Sequence, residues 1–185
     1  MKRSLFTSIA LTSVVLTSGV LQLPANAQNF GSIFNSLFQF PQPSTTPTTT
    51  QSTTPSLASI EKAVHDQVNQ YRANRGLPPL SLNYRITEQA QIHSRNMANG
   101  TVGFSHDGFN QRVQTIAKVI PLTTSAENVA YNQGYSNPAT QAVQNWLNSS
   151  GHRVNIEGSN NLTGVGVAKN ARGEYYFTQI FIRSR

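Results

Sequence analysis

The chain has 185 residues, 14 Lys and Arg against 7 Asp and Glu, a formal net charge of +7 and no cysteine. The missing cysteine excludes a disulfide framework, a thiolate metal site, a cysteine nucleophile and a lipid-modified N-terminal cysteine. Only 11% of residues are charged, so this is not a charge-driven disordered chain despite its basic balance.

The charges divide the chain into three parts. Residues 1–27 hold Lys2 and Arg3, residues 28–56 hold none, and residues 57–185 hold a net +5. Residues 1–27 read as a secretory signal peptide: a basic start, an apolar stretch from Leu5 to Leu21, and Ala25-Asn26-Ala27 as the cleavage pattern. Ser and Thr dilute the apolar stretch, whereas a membrane span needs about 20 mainly apolar residues. Cleavage near Gln28 would leave a secreted protein, extracellular or periplasmic, with no transmembrane span.

In residues 28–40, Phe30, Ile33, Phe34, Leu37 and Phe38 fall on one face of a helix. Such a short helix is marginal alone in water. Its rings need a surface, which could be a membrane, a partner or the domain itself; a partly ordered tail is the plain alternative. Residues 41–56 are a linker, dominated by Ser, Thr and Pro and without a large apolar side chain to build a core.

Residues 57–185 are long enough for one disulfide-free core. Ser59 is the expected cap of a first helix carrying Ile60, Val64, Val68 and Tyr71 inward and ending at Gly76. A second helix is expected over about 83–99, with the stripe Ile86, Ala90, His93 and Met97 and Gly100 as the stop. Phe109, Val113 and Ile116 suggest a third. Asn137-Pro138 opens a fourth that buries Ala142, Val143, Trp146 and Leu147 and stops at Gly151. The period then changes to two. Thr163–Lys169 and Glu174–Ile182 are strands joined by the turn 170–173, and the second is apolar on both faces. A sheet covered on both sides by helices is a three-layer α-β-α sandwich, an α+β fold whose central sheet is partly antiparallel.

Few residues offer chemistry. His65 reads as a surface residue and His93 as a satisfied core histidine. His106 lies in the glycine-flanked loop Gly103–Gly108, where scaffolds place function. Adjacent Ser105, His106 and Asp107 cannot form a triad, which draws its members from separate segments; Asp107 is a candidate helix cap. Glu127 is a lone acid among small and apolar residues, either turned to solvent or held by partners in a site. His152 follows the fourth helix, where a helix C-terminus would favour its protonated form. Were His106, Glu127 and His152 to meet, two imidazoles and a carboxylate would match a catalytic-type zinc set, although no H-E-x-x-H is present.

Seven segments resemble, in order, the CAP superfamily of cysteine-rich secretory, antigen 5 and pathogenesis-related-1 proteins, and its bacterial SCP-like extracellular branch most of all. They are Val68–Arg72 with Gly76–Leu80, Ala90–Met97, Phe104–His106, Ala126–Ala130, Trp146–Ile156, Gly164–Val167 and Phe177–Phe181. The resemblance implies an α-β-α sandwich and a cleft of two histidines and two glutamates that in some members holds zinc or another divalent cation. His106 matches the first family histidine, and Glu127 the glutamate of the E-N motif. The second glutamate position is Ser149, and the histidine before the last strand motif is Tyr176. In the bacterial branch His152 stands as the replacement histidine. The absence of cysteine departs from the disulfide-bearing eukaryotic members.

Three functions are consistent with these residues. The first is an exported binding domain whose cleft residues His106, Glu127, His152, Ser149 and Tyr176 hold a small ligand, a lipid, an envelope polymer or a divalent cation. The second is a hydrolase acting on peptides or cell wall through Glu127 and the histidines. The third is an adhesive surface protein. Nucleic acid is not an expected partner, because Lys and Arg are scattered rather than clustered and export removes it.

Overall fold

The computed structural model describes residues 55–185. The expected signal peptide, the Phe-rich segment 28–40 and most of the linker lie outside the described residues. Nine elements follow in chain order: α1 (Leu57–Asn74), β1 (Ser81–Leu82), α2 (Tyr84–Ala98), α3 (Phe109–Ala117), β2 (Leu122–Asn132), α4 (Pro138–Asn148), α5 (Ser150–Glu157), β3 (Leu162–Lys169) and β4 (Tyr175–Ser184).

Local chemistry sets most of these boundaries. Ser56, not Ser59, caps α1: its hydroxyl accepts the Ser59 N–H at 3.1 Å, and the Ser59 hydroxyl donates back to the Ser56 carbonyl. Asn83 caps α2 through Arg85 N, and Asn137 caps α4 through Thr140 N with Pro138 in its first turn. Gly76 and Gly100 follow α1 and α2 with φ of 68° and 73°, which the absence of a Cβ permits. The fourth helix does not run to Gly151. Its last residue is Asn148; Ser149 is extended, and α5 begins at Ser150.

The sheet has the order β1-β3-β4-β2. β1 runs parallel to β3; β3–β4 and β4–β2 are antiparallel. Period-two alternation in β4 feeds both layers. Phe177 and Phe181 join Ile60, Val64, Val68 and Trp146 of α1 and α4, while Ile180 and Ile182 join Ile86, Ala90 and Ile116 of α2 and α3. The three-layer reading of the sequence therefore holds, with β1, β2 and α5 added to it. The Trp146 indole N–H donates to the Val129 carbonyl at 2.9 Å and pins α4 to the edge strand β2. No helix among the described residues is long and apolar enough to cross a membrane.

The α2 layer lies directly on β3, where glycine permits the approach. A Cβ at Gly166 would stand 2.2 Å from the Ala90 carbonyl carbon, and one at Gly164 would stand 2.2 Å from Thr87 N. Because the obstacle is helix backbone, repacking side chains cannot relieve it. Gly166→Ala should destabilise the domain by about 3 kcal/mol or more in urea unfolding, as overpacking of a closed contact does; a change under about 1 kcal/mol would show that α2 can shift away.

Candidate functional site

β2 positions the acid. Along it, Ala126 and Ala130 turn toward the α1/α4 layer. Glu127, between them in the alternation, turns toward the opposite layer, where α3 packs. Its side chain is only 1% exposed. Arg112 of α3 meets it side-on: Nε donates to Oε2 at 2.9 Å and Nη2 to Oε1 at 2.7 Å. His106 Nδ1 lies 3.0 Å from Oε1 and completes the set. Glu127 is thus held by partners, the second of the two states its sequence context allowed.

Arg112 does more than neutralise the acid. Its Nη1 donates to the Asp107 carbonyl at 2.8 Å and to His93 Nδ1 at 3.1 Å, and Nη2 makes a longer 3.5 Å contact with the His106 carbonyl. All five guanidinium N–H groups are thereby used. His93, accepting at Nδ1, must carry its proton on Nε2, which donates to the Ser105 carbonyl at 2.9 Å. His93 is the satisfied core histidine expected. Three consecutive carbonyls of the His106 loop, those of Ser105, His106 and Asp107, are held by this Arg112–His93 pair.

Asp107 does not cap α3 with its side chain. The cap position is Gly108, in the left-handed region at φ 76°, with no side-chain cap bond. His65 is half-buried rather than on the surface, its Nε2 2.9 Å from the Leu80 carbonyl. His106 itself is open, with its side chain 51% exposed. With Nδ1 facing a carboxylate, its Nε2 is the nitrogen left for a ligand.

His152 and Ser149 form a second pair, with His152 Nδ1 2.9 Å from the Ser149 hydroxyl. His152 does not cap a helix C-terminus; it sits in the first turn of α5, where the helix dipole opposes a positive charge. Burial lowers the His152 imidazole from its ordinary pKa, and the charge of His106 adds to that. Asn128 Nδ2 donates to the His152 carbonyl at 3.0 Å, and Asn155 Nδ2 donates to Asn128 Oδ1 at 2.9 Å. Asn128 thus ties α5 to one face of β2 while Glu127 serves the other. This alternation keeps His152 out of the His106–Glu127 pair.

The His152–Ser149 pair borders a recess that Phe104 joins from the His106 loop. Phe104, Tyr131, Trp146, Ser149 and His152 line a pocket of about 270 Å³. Phe104 and Tyr131 meet edge to face at 5.6 Å, and Tyr131 stacks on Tyr176 across β2 and β4 at 5.8 Å. The Tyr176 hydroxyl donates to Glu174 at 3.2 Å. A larger pocket, about 450 Å³, lies at the outer edge of β3 beside Glu61, His65 and Val165. There Glu61 already accepts from Gln91 and from Val167 N, so its carboxylate closes the edge.

The zinc set does not fit this arrangement. Among the described residues no group of three or more His, Asp or Glu side chains is placed to hold a metal ion. Glu127 presents both oxygens to a guanidinium, which would also repel a nearby cation.

The sequence reading missed Arg112. Its signal was its place on α3: Phe109, Arg112, Val113 and Ile116 fall at i, i+3, i+4 and i+7, one stripe. An arginine on the inward stripe of a short helix needs a buried acceptor.

A profile of the CAP family, described as the cysteine-rich secretory protein family, matches residues 65–181. The chain belongs to this family. It is 31% identical over 130 residues to the uncharacterised protein YkwD of Bacillus subtilis, an alignment covering 69% of this chain and 48% of that protein. The chain also spans 34% of the Bacillus subtilis membrane protein YlbC, at 33% identity. Among solved structures, an extracellular SCP-domain protein from Bacillus anthracis superposes with a TM-score of 0.58 at 30% identity, over 68% of this chain and 41% of that one. An outer surface protein from Borrelia burgdorferi shares the fold at a TM-score of 0.61 and 15% identity, over 71% and 97% of the two chains.

The buried imidazole of His93 gives the site a pH signature. Burial pushes its pKa down; Arg112 adds to this, partly offset by the bond to Ser105 and by Glu127. The unfolded chain therefore takes up a proton near pH 6.5 that the folded protein refuses, as it does at His152. Stability should be full above about pH 6.5 and fall as pH is lowered through the window beneath it. Unfolding free energies measured across that range should show this slope, and His93→Gln should flatten it; an unchanged slope would reject the assignment.

Proposed function

We propose that this CAP-domain protein is an exported binding protein whose cleft holds a hydroxyl-bearing segment of an envelope polymer. The observation that carries this reading is the recess itself. The half-exposed rings of Phe104 and Tyr131 line it together with Ser149 and the imidazole of His152, and the exposed His106 follows Phe104 by two residues in the same loop. Rings supply apolar contact, and the polar atoms fix orientation. Export is supported by the basic, apolar and A-x-A pattern of residues 1–27 and by the extracellular Bacillus anthracis relative. The domain's net +5 suits anionic polymers.

The hydrolytic reading has one observation in its favour. A carboxylate on His106 Nδ1 leaves Nε2 as a base for water. Turnover of wall or peptide substrates that disappears in Glu127→Gln would support it.

Binding is tested by sedimenting the full exported chain with purified cell-wall sacculi and, separately, with anionic lipid vesicles. Retention on sacculi should fall about tenfold in His106→Ala and in Tyr131→Ala, the loss of one good contact each. Equal retention of all three proteins, or retention on vesicles alone, would overturn the reading.

A further inference from the structure

We propose that Arg112 is the resident cation of this cleft: it occupies the charge-neutralising position beside Glu127 that a divalent metal would need, and the site is built to work without one. This goes beyond the question of what the cleft binds and does not depend on it.

Three observations carry the inference. The Arg112 side chain is 9% exposed and that of Glu127 1%, so the pair is out of water and each charge requires the other. The geometry is side-on and bidentate, at 2.9 and 2.7 Å, which uses both carboxylate oxygens. The remaining Arg112 donors go to His93 and to the carbonyls of His106 and Asp107, so the same guanidinium holds the loop that presents His106. A metal ion coordinated by Glu127 would have to displace Arg112. That would strand a buried guanidinium and release three acceptors at once. Glu127 accordingly acts on a ligand only through His106, as a positioning residue.

Lysine could not replace this group. An ammonium is a point charge with three donors and cannot span both oxygens, His93 and the loop carbonyls together.

The test uses the full chain without any cleft ligand. Zinc is titrated by calorimetry into the wild type and Glu127→Gln at neutral pH, and unfolding midpoints are read in zinc and in chelator. The expected result is no stoichiometric zinc uptake in either protein. Arg112→Met should lower the midpoint by roughly 10 °C or more, as breaking a buried pair does. Arg112→Met combined with Glu127→Gln, which removes both charges, should recover much of that loss. Stoichiometric zinc binding in the wild type that disappears in Glu127→Gln would overturn the proposal. So would a double variant no more stable than Arg112→Met. If Arg112→Met does not fold, the comparison of wild type with Glu127→Gln still decides the matter.

Discussion

The ion pair between Arg112 and Glu127 is stable only as a complete set. Each ion loses its hydration on burial, at a cost of several kcal/mol, and the gain that offsets it depends on close geometry and on hydrogen bonds for every remaining donor. The guanidinium meets that condition by reaching a carboxylate, an imidazole and two backbone carbonyls. The consequences spread outward from there. His93 is held as one neutral tautomer, the segment from Ser105 to Asp107 is anchored by its carbonyls, and His106 is presented half in solvent with one nitrogen free. A loop that would otherwise be mobile becomes a fixed wall of the cleft.

The second constraint is the sheet. With both faces covered, side chains of the edge strand β2 alternate between two separate layers. Glu127 belongs to the α3 layer and Asn128 to the α5 layer, so neighbouring residues of one motif organise opposite walls. The recess forms where those walls pass the edge, which is why it mixes rings from Phe104 and Tyr131 with polar groups from the α4–α5 junction. His152 lines that recess beside Ser149 while His106 is paired with Glu127, so the two imidazoles do not share a carboxylate.

The elements read most clearly from the sequence were those whose pattern follows from burial alone. The stripe of α2, the asparagine cap of α4, and the two-faced apolar run of β4 appear where expected. β2 was missed because its segment, Leu122–Asn132, opens with exposed threonines and interleaves an acid, an amide and a tyrosine with small residues. Its strand character comes from pairing with β4, which no local pattern records. α5 was missed because Ser149-Ser150-Gly151 reads as a helix stop, whereas the chain makes one extended residue and starts again. That error reversed the dipole argument for His152. His106 and Glu127 were legible as candidates, but their contact is 21 residues apart in sequence and depends on Arg112.

Arginine also bears on the absence of cysteine. Arg72 of α1 is buried, with no carboxylate partner among the described residues. It donates instead to the carbonyls of Pro78 at 2.8 Å and Gly158 at 2.9 Å, and also to those of Ile156 and Asn160. Those acceptors lie in the loop after α1, at the end of α5 and in the approach to β3. Burial lowers the pKa of Arg72, yet it remains far above neutrality because guanidinium deprotonates only in strong base. A fixed charge with five donors can therefore join three irregular segments that offer carbonyls and no regular partners. Arg112 does the same for the His106 loop. A disulfide acts largely by restricting the unfolded chain. These two hubs act in the folded state, where their donors satisfy backbone carbonyls that burial would otherwise leave unpaired. In this cysteine-free CAP domain two groups of irregular segments, one of them the His106 loop, are held by arginines, so replacing either one exposes a different group of loops, and only Arg112 leaves a buried acid behind.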